Sequence, residues 1–199
     1  MQHIRRTYFK TYGGLIVMEH FLIEHCSPTL AGLKTANLFS CTVGSASELN
    51  SYLYKVNHDL NNKDVFLEVL QHNNKRAVIL VYRKNRLQKE LHGKSVSDFL
   101  ASYGYNCNSV TYCIERLKQR FEYSDSFPHE IGVFLGYPLE DVVGFIENGG
   151  KNSKSSGFWK VYSDEYSASK LFEQYNKCRK VYMKLFAGGR SIMQLTVAA

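Results

Sequence analysis

Proline is scarce, at 3 in 199 residues, and tryptophan occurs once. So little proline excludes a fibrous or linker-like chain. Long apolar runs are also missing. The longest clean one, Ala77 to Tyr82, is far short of the ~20 residues that cross a bilayer. Near the amino end, Arg5 and Arg6 precede Leu15-Ile16-Val17-Met18, but Glu19 and His20 interrupt that stretch, so no export signal is read there. The 5 cysteines are odd in number and none stands in CxxC spacing, which excludes a disulfide framework and a zinc ribbon. A cytoplasmic setting with reduced thiols is the expectation.

Aromatic residues are plentiful, with 14 Tyr and 12 Phe, and apolar residues make up 44% of the chain. That content suits a globular protein able to bury a core without staples. The formal charge is +7. A basic balance raises nucleic acid and anionic membranes as partners. Along the chain the cations are interleaved with acids, so most of the excess reads as solvated surface. Nucleic acid and membrane are therefore not expected partners, and a small molecule is.

Residues 1–17 read as an extension and 18–199 as one α/β domain. Helices are predicted over Leu15–Glu24 and from Pro28, which suits a first helical position. Ser45 and Glu48 form a capping box ahead of Leu49, Tyr52, Leu53, Val56 and Leu60, an apolar helical stripe. Val110, Cys113, Ile114, Leu117 and Phe121 form another, behind Ser109. Strands are predicted at Asn37–Val43, Ala77–Tyr82, Phe158–Tyr162 and Ile192–Val197. The run 77–82 suits a strand covered on both faces. A small mixed four-stranded sheet under about nine helical segments, with crossover connections, is the expected architecture.

Two tandem signatures, Pro128-His129-Glu130 and Leu135-Gly136-Tyr137-Pro138, together with His25-Cys26-Ser27-Pro28-Thr29-Leu30-Ala31-Gly32-Leu33-Lys34, resemble a family of bacterial proteins, mostly from anaerobes, classed only as a domain of unknown function, of the 3793 type. The resemblance runs from about Met18 to the carboxyl end. It implies a family and no activity.

Chemistry is therefore read from the residues themselves. Cys26, just before Pro28, is expected at a helix amino terminus, where the dipole and free N–H groups lower a thiol's pKa. His129 is the candidate base and Glu130 the carboxylate that would orient it, giving a cysteine-nucleophile enzyme, a hydrolase or transferase. The alternative is a half-buried thiol and a histidine that caps its own helix. His25, Lys34 and Tyr137 are candidate ligand-binding residues, Lys34 as an anion contact. No metal set is assigned, although His25, Cys26, His129 and Glu130 carry donors that a transition metal accepts. A rival reading is a non-catalytic protein for a metal-, haem- or flavin-type ligand, and a third is an interaction module. The cofactor is left undetermined.

Two further segments resemble known motifs in part. Residues 128–148 resemble a helix-turn-helix, but Leu139-Glu140-Asp141 would set two acids against phosphate. They read as ordinary first-turn acids. The stretch 149–157, GGKNSKSSG, lacks phosphate-loop spacing and reads as a mobile connection.

Overall fold

The computed structural model describes residues 14–73, 75–124 and 126–199. The expected extension lies almost wholly outside them. Nine helices are present among the described residues, with a three-stranded antiparallel sheet and a separate two-stranded one. The expected single four-stranded sheet is thus corrected to two smaller sheets. Residues 18–199 divide by their contacts into two compact units: a sheet unit of residues up to Lys84 plus Tyr175–Ala199, and a helical unit of Asn85–Gln174. Among the described residues, no helix is long and apolar enough to cross a membrane.

The sheet unit holds α1 (Gly14–Leu30), β1 (Ala36–Thr42), α2 (Ala46–Leu60), β2 (Val65–Asn73) and β3 (Arg76–Arg83). Strand order is β1-β3-β2, with both outer strands antiparallel to β3. The continuous apolar run 77–82 belongs to the central strand, as its composition requires. β1 and β2 therefore run the same way on either side of β3, and α2 is the crossover between them. Residues 65–73, the strand β2, match none of the four expected strands. Their alternation is hard to see in the sequence because the register shifts between Val69 and Gln71, a bulge that turns the following side chains over.

One face of this sheet carries Phe39, Cys41, Val65, Leu67, Ala77, Ile79 and Val81. It packs against Phe21, Leu22, Cys26 and Leu30 of α1 and against Leu49, Tyr52, Leu53, Val56 and Leu60 of α2. The α2 stripe is the one that the helical period marks out. Its capping also holds, with Ser45 Oγ accepting from the Glu48 N–H at 3.2 Å. The carboxyl-terminal half of α8 (Glu165–Ala187) and the short α9 (Ile192–Leu195) complete the core with Tyr182, Leu185, Phe186, Ile192 and Leu195. A closing strand was expected at 192–197. Ser191 and Gln194 form a reciprocal capping box instead, which starts a helical turn.

The helical unit comprises α3 (Lys84–Leu91, all but its first residue), α4 (Lys94–Ala101), α5 (Val110–Tyr123), α6 (Ile131–Phe134), α7 (Leu139–Glu147), the ribbon β4 (Ser155–Ser156) with β5 (Lys160–Val161), and the amino-terminal part of α8. Val110, Cys113, Ile114, Leu117 and Phe121 of α5 are all buried, as their spacing predicts.

Candidate functional site

The candidate residues fall into two clusters, one in each unit. His25, Cys26 and Lys34 belong to the sheet unit, and His129, Glu130 and Tyr137 to the helical unit. The expected nucleophile and its base thus sit in different units.

Cys26 does not occupy a helix amino terminus. α1 continues unbroken from Gly14 to Leu30 with Pro28 inside its last turn. Having no N–H, the proline cannot bond the Glu24 carbonyl four residues back, and the helix carries that loss in its last turn. Ser27 Oγ donates to the Ile23 carbonyl of the preceding turn. Gly32, at φ +75°, closes the helix, with Leu33 N–H bonded to the Pro28 carbonyl at 2.8 Å and Gly32 N–H to that of Thr29 at 3.1 Å. This left-handed glycine turn is the usual way to satisfy terminal carbonyls. Arg83 supplies the rest, donating to the carbonyls of Thr29 (2.7 Å), Leu30 (2.7 Å) and Val197 (2.8 Å).

The position is decisive for the thiol. Cys26 is 0% exposed, and burial pushes its thiol well above the usual range, against a weaker opposing pull from Lys34. It is a neutral, buried –SH at neutral pH, not a poised thiolate. Lys34 is itself 2% exposed, and its ammonium donates to the Ala36 carbonyl. It is an internal tie between the α1 turn and β1 rather than a solvated anion contact. The half-buried His25 ring stacks on Phe39, with centroids 6.0 Å apart and planes at 13°, and lies 5.6 Å from Phe21. Nearby, the buried Tyr52 hydroxyl makes no hydrogen bond among the described residues.

In the helical unit, Glu130 is 1% exposed. Its Oε1 accepts from Tyr105 Oη at 3.0 Å and from Arg120 Nε at 2.9 Å. The carboxylate joins α5, the 105 loop and the start of α6, so its partner is a guanidinium and not an imidazole. Burial, and then the Glu130 charge, push the Tyr105 hydroxyl far up. Tyr137 donates to the Phe158 carbonyl at 3.1 Å and stacks on Trp159 at 4.9 Å and 27°. It too is held within the packing.

Asp141 was missed. It is 2% exposed and accepts four bonds: from Trp159 Nε1 (2.7 Å), the backbone N–H groups of Tyr162 (2.7 Å) and Ser163 (2.8 Å), and Ser163 Oγ (2.8 Å). The single tryptophan, 18 residues downstream in a chain with so few indole donors, was the available signal. The 149–157 stretch is likewise tied down rather than mobile. Lys154 Nζ donates to the Ser163 carbonyl at 2.7 Å and Tyr162 Oη to that of Lys151 at 2.8 Å. Gly150 N–H reaches the Phe145 carbonyl at 2.8 Å.

His129 is different. It is half-buried at the turn before α6, with Phe127 5.7 Å away and Phe145 4.9 Å away, the latter edge-on at 61°. Its ring nitrogens make no hydrogen bond to any described residue. Burial lowers its pKa below 6.5, against an opposing effect of Glu130. The ring is neutral at pH 7 and offers one donor and one acceptor.

Fold and clusters together define a mixed α/β protein with a crossover sheet unit and a helical unit held by two buried carboxylates. Among the described residues, no three His, Cys, Asp or Glu side chains are grouped to hold a metal ion. A family model described as a protein of unknown function (DUF3793) matches residues 22–196, and the chain belongs to that family. No curated protein and no solved structure matches the chain.

Proposed function

We propose that the protein handles a small molecule through the His129 imidazole, with the Phe127 and Phe145 rings as apolar walls. The observation that carries this reading is a half-exposed, neutral imidazole whose nitrogens bond no described residue, set beside two residues that are engaged (Glu130 and Tyr137). A half-buried polar group between aromatic rings is the arrangement that binds a flat ligand by its face and orients it by one edge. The ligand class is a planar heteroaromatic with a hydrogen-bonding edge. Glu130, engaged by Arg120 and Tyr105, positions the residue before it rather than exchanging protons. A thiol-dependent reaction gains no support from Cys26, whose sulfur is buried and protonated.

The test is an NMR titration of the His129 ring resonances with a set of planar heteroaromatics (indole, quinoline and nicotinamide) at millimolar concentration. A saturable shift of those resonances, together with loss in His129→Phe of the saturation-transfer signal seen on the heteroaromatic itself, supports the proposal. Shifts confined to other histidines, or none, refute it.

A further inference from the structure

Sorted by unit, the basic charge is not scattered. Segments 14–84 and 175–199 carry 12 Lys and Arg against 6 Asp and Glu, whereas 85–174 carry 10 against 12. From Gln174 to Ala199 there is no acid at all. The cations of that stretch have a definite placement. The carboxyl-terminal half of α8 turns Tyr182, Leu185 and Phe186 onto the core of the sheet unit. Lys177, Lys180 and Lys184 are exposed. At positions i, i+3 and i+7 they share one helix face and span about 10 Å. Exposed Arg190 follows the helix.

None of these four cations forms an ion pair with a described residue. Elsewhere in the unit most cations are used internally, with exposed Lys55 and Lys75 as exceptions. Lys34 and Lys63 donate to carbonyls, Arg83 to four of them, Arg76 to Ser40 Oγ, and Lys84 lies over the Phe66 ring. A merely solvated helix face interleaves signs, because lysines three and four apart repel each other. This face holds its lysines at that spacing with no acid between them; exposed Glu173, one turn before Lys177, is the one acid at the stripe's amino-terminal end, and an external polyanion relieves the repulsion along the rest. An anionic lipid surface fits less well. The apolar side of the helix is spent on the core, and the exposed side presents only Val181, 46% exposed, to an acyl layer.

We propose that the Lys177–Lys180–Lys184 stripe, with Arg190, is a sequence-independent docking surface for the phosphodiester backbone of a nucleic acid. It is independent of the His129 site and of the acidic helix start at 139–141, which remains unsuited to phosphate. Three to four phosphate contacts give a slope of log affinity against log salt of about −2 to −4. The affinity should then fall roughly 60-fold between about 50 and about 200 mM KCl for a slope near −3.

The experiment is fluorescence anisotropy of the full chain with a short mixed-sequence RNA and a mixed-sequence DNA duplex, each dye-labelled. Phosphatidylserine-containing vesicles are a separate arm. K177Q/K180Q/K184Q should lose at least about tenfold in affinity at low salt and flatten the slope by about 2. Its thermal melting should not change, because the side chains are exposed. K89Q/K94Q/K151Q, made on exposed lysines of the helical unit, should bind as the parent does. The proposal is overturned by the absence of binding to either nucleic acid at about 50 mM KCl, by equal loss in the two triple variants, or by binding to vesicles alone.

Discussion

Replacing Asp141 with alanine should be the most damaging single change in the helical unit. Its carboxylate accepts four hydrogen bonds at 2.7–2.8 Å while almost wholly out of water. Bonds to a charged acceptor contribute about 1.5–3 kcal/mol each, but those made to one group do not add. Ser163 and Tyr162 are only half-buried, so water can reach their N–H groups once the carboxylate is gone. Trp159 is buried, and its indole N–H would be left without an acceptor. The expected loss is about 3–4 kcal/mol, a large share of the 5–15 kcal/mol that holds a domain together. Asp141→Asn should lose more than half as much, because its amide nitrogen turns a donor towards groups that are themselves donors. Urea unfolding followed by tryptophan fluorescence reads this unit directly, since Trp159 is the only tryptophan. With a slope of ~2 kcal/mol per molar urea, the midpoint should fall by about 1.5–2 M. A midpoint within ~0.5 M of the parent, about 1 kcal/mol, would refute the assignment of Asp141 as the unit's central acceptor.

Further outcomes follow from the same packing. All five cysteines are buried, and Cys41 and Cys178 are pushed up to about 12 and about 11 by burial. Native protein should therefore react with iodoacetamide at pH 7 no faster than it opens, and a fast-reacting Cys26 would contradict its placement. Arg120→Met leaves Glu130 buried with only the Tyr105 hydroxyl and should cost about 2–3 kcal/mol, less than a fully buried pair because Arg120 is partly exposed; a neutral result in thermal melting would show that the ion pair does not hold the unit. His129 has its pKa lowered on folding, so its neutral form contributes stability that is present above 6.5 and is lost as pH falls through the folded value. The pH dependence of urea midpoints below 6.5 should be shallower in His129→Phe, and an unchanged dependence would refute this. A Cβ at Gly157 would run into the Phe172 ring, so Gly157→Ala should destabilise by about 1–3 kcal/mol in the same assay, and a stable variant would contradict the close approach.

Much of the fold could be read from periodicity. The stripes of α2 and α5 and the unbroken apolar run of β3 each bury what their spacing says they bury, because a helix or strand with one dominant period has a single way to face a core. The failures have particular causes. β2 hides behind a bulge, α9 behind an apolar run that resembled a strand although Ser191 and Gln194 carried a capping box, and the α1 terminus behind a proline that a last helical turn tolerates. The candidate site was legible in part. Sequence brought attention to His129, but it could not show that Glu130 belongs to Arg120 and Tyr105, that Lys34 and Cys26 are interior, or that Asp141 binds a tryptophan 18 residues away. Those are pairings between distant stretches, which local pattern does not encode. The uneven division of charge was hidden for a similar reason, since cations counted along the chain look dispersed until they are sorted by the unit to which each belongs.

The central claim is that the working group is the His129 imidazole, independent of the Cys26 thiol. The most direct measurement is the heteroaromatic titration of the His129 ring resonances repeated in Cys26→Ala. A saturable shift of the same size in both proteins is the expected result. A shift that disappears when the sulfur is removed, or that never appears in the parent, would contradict it.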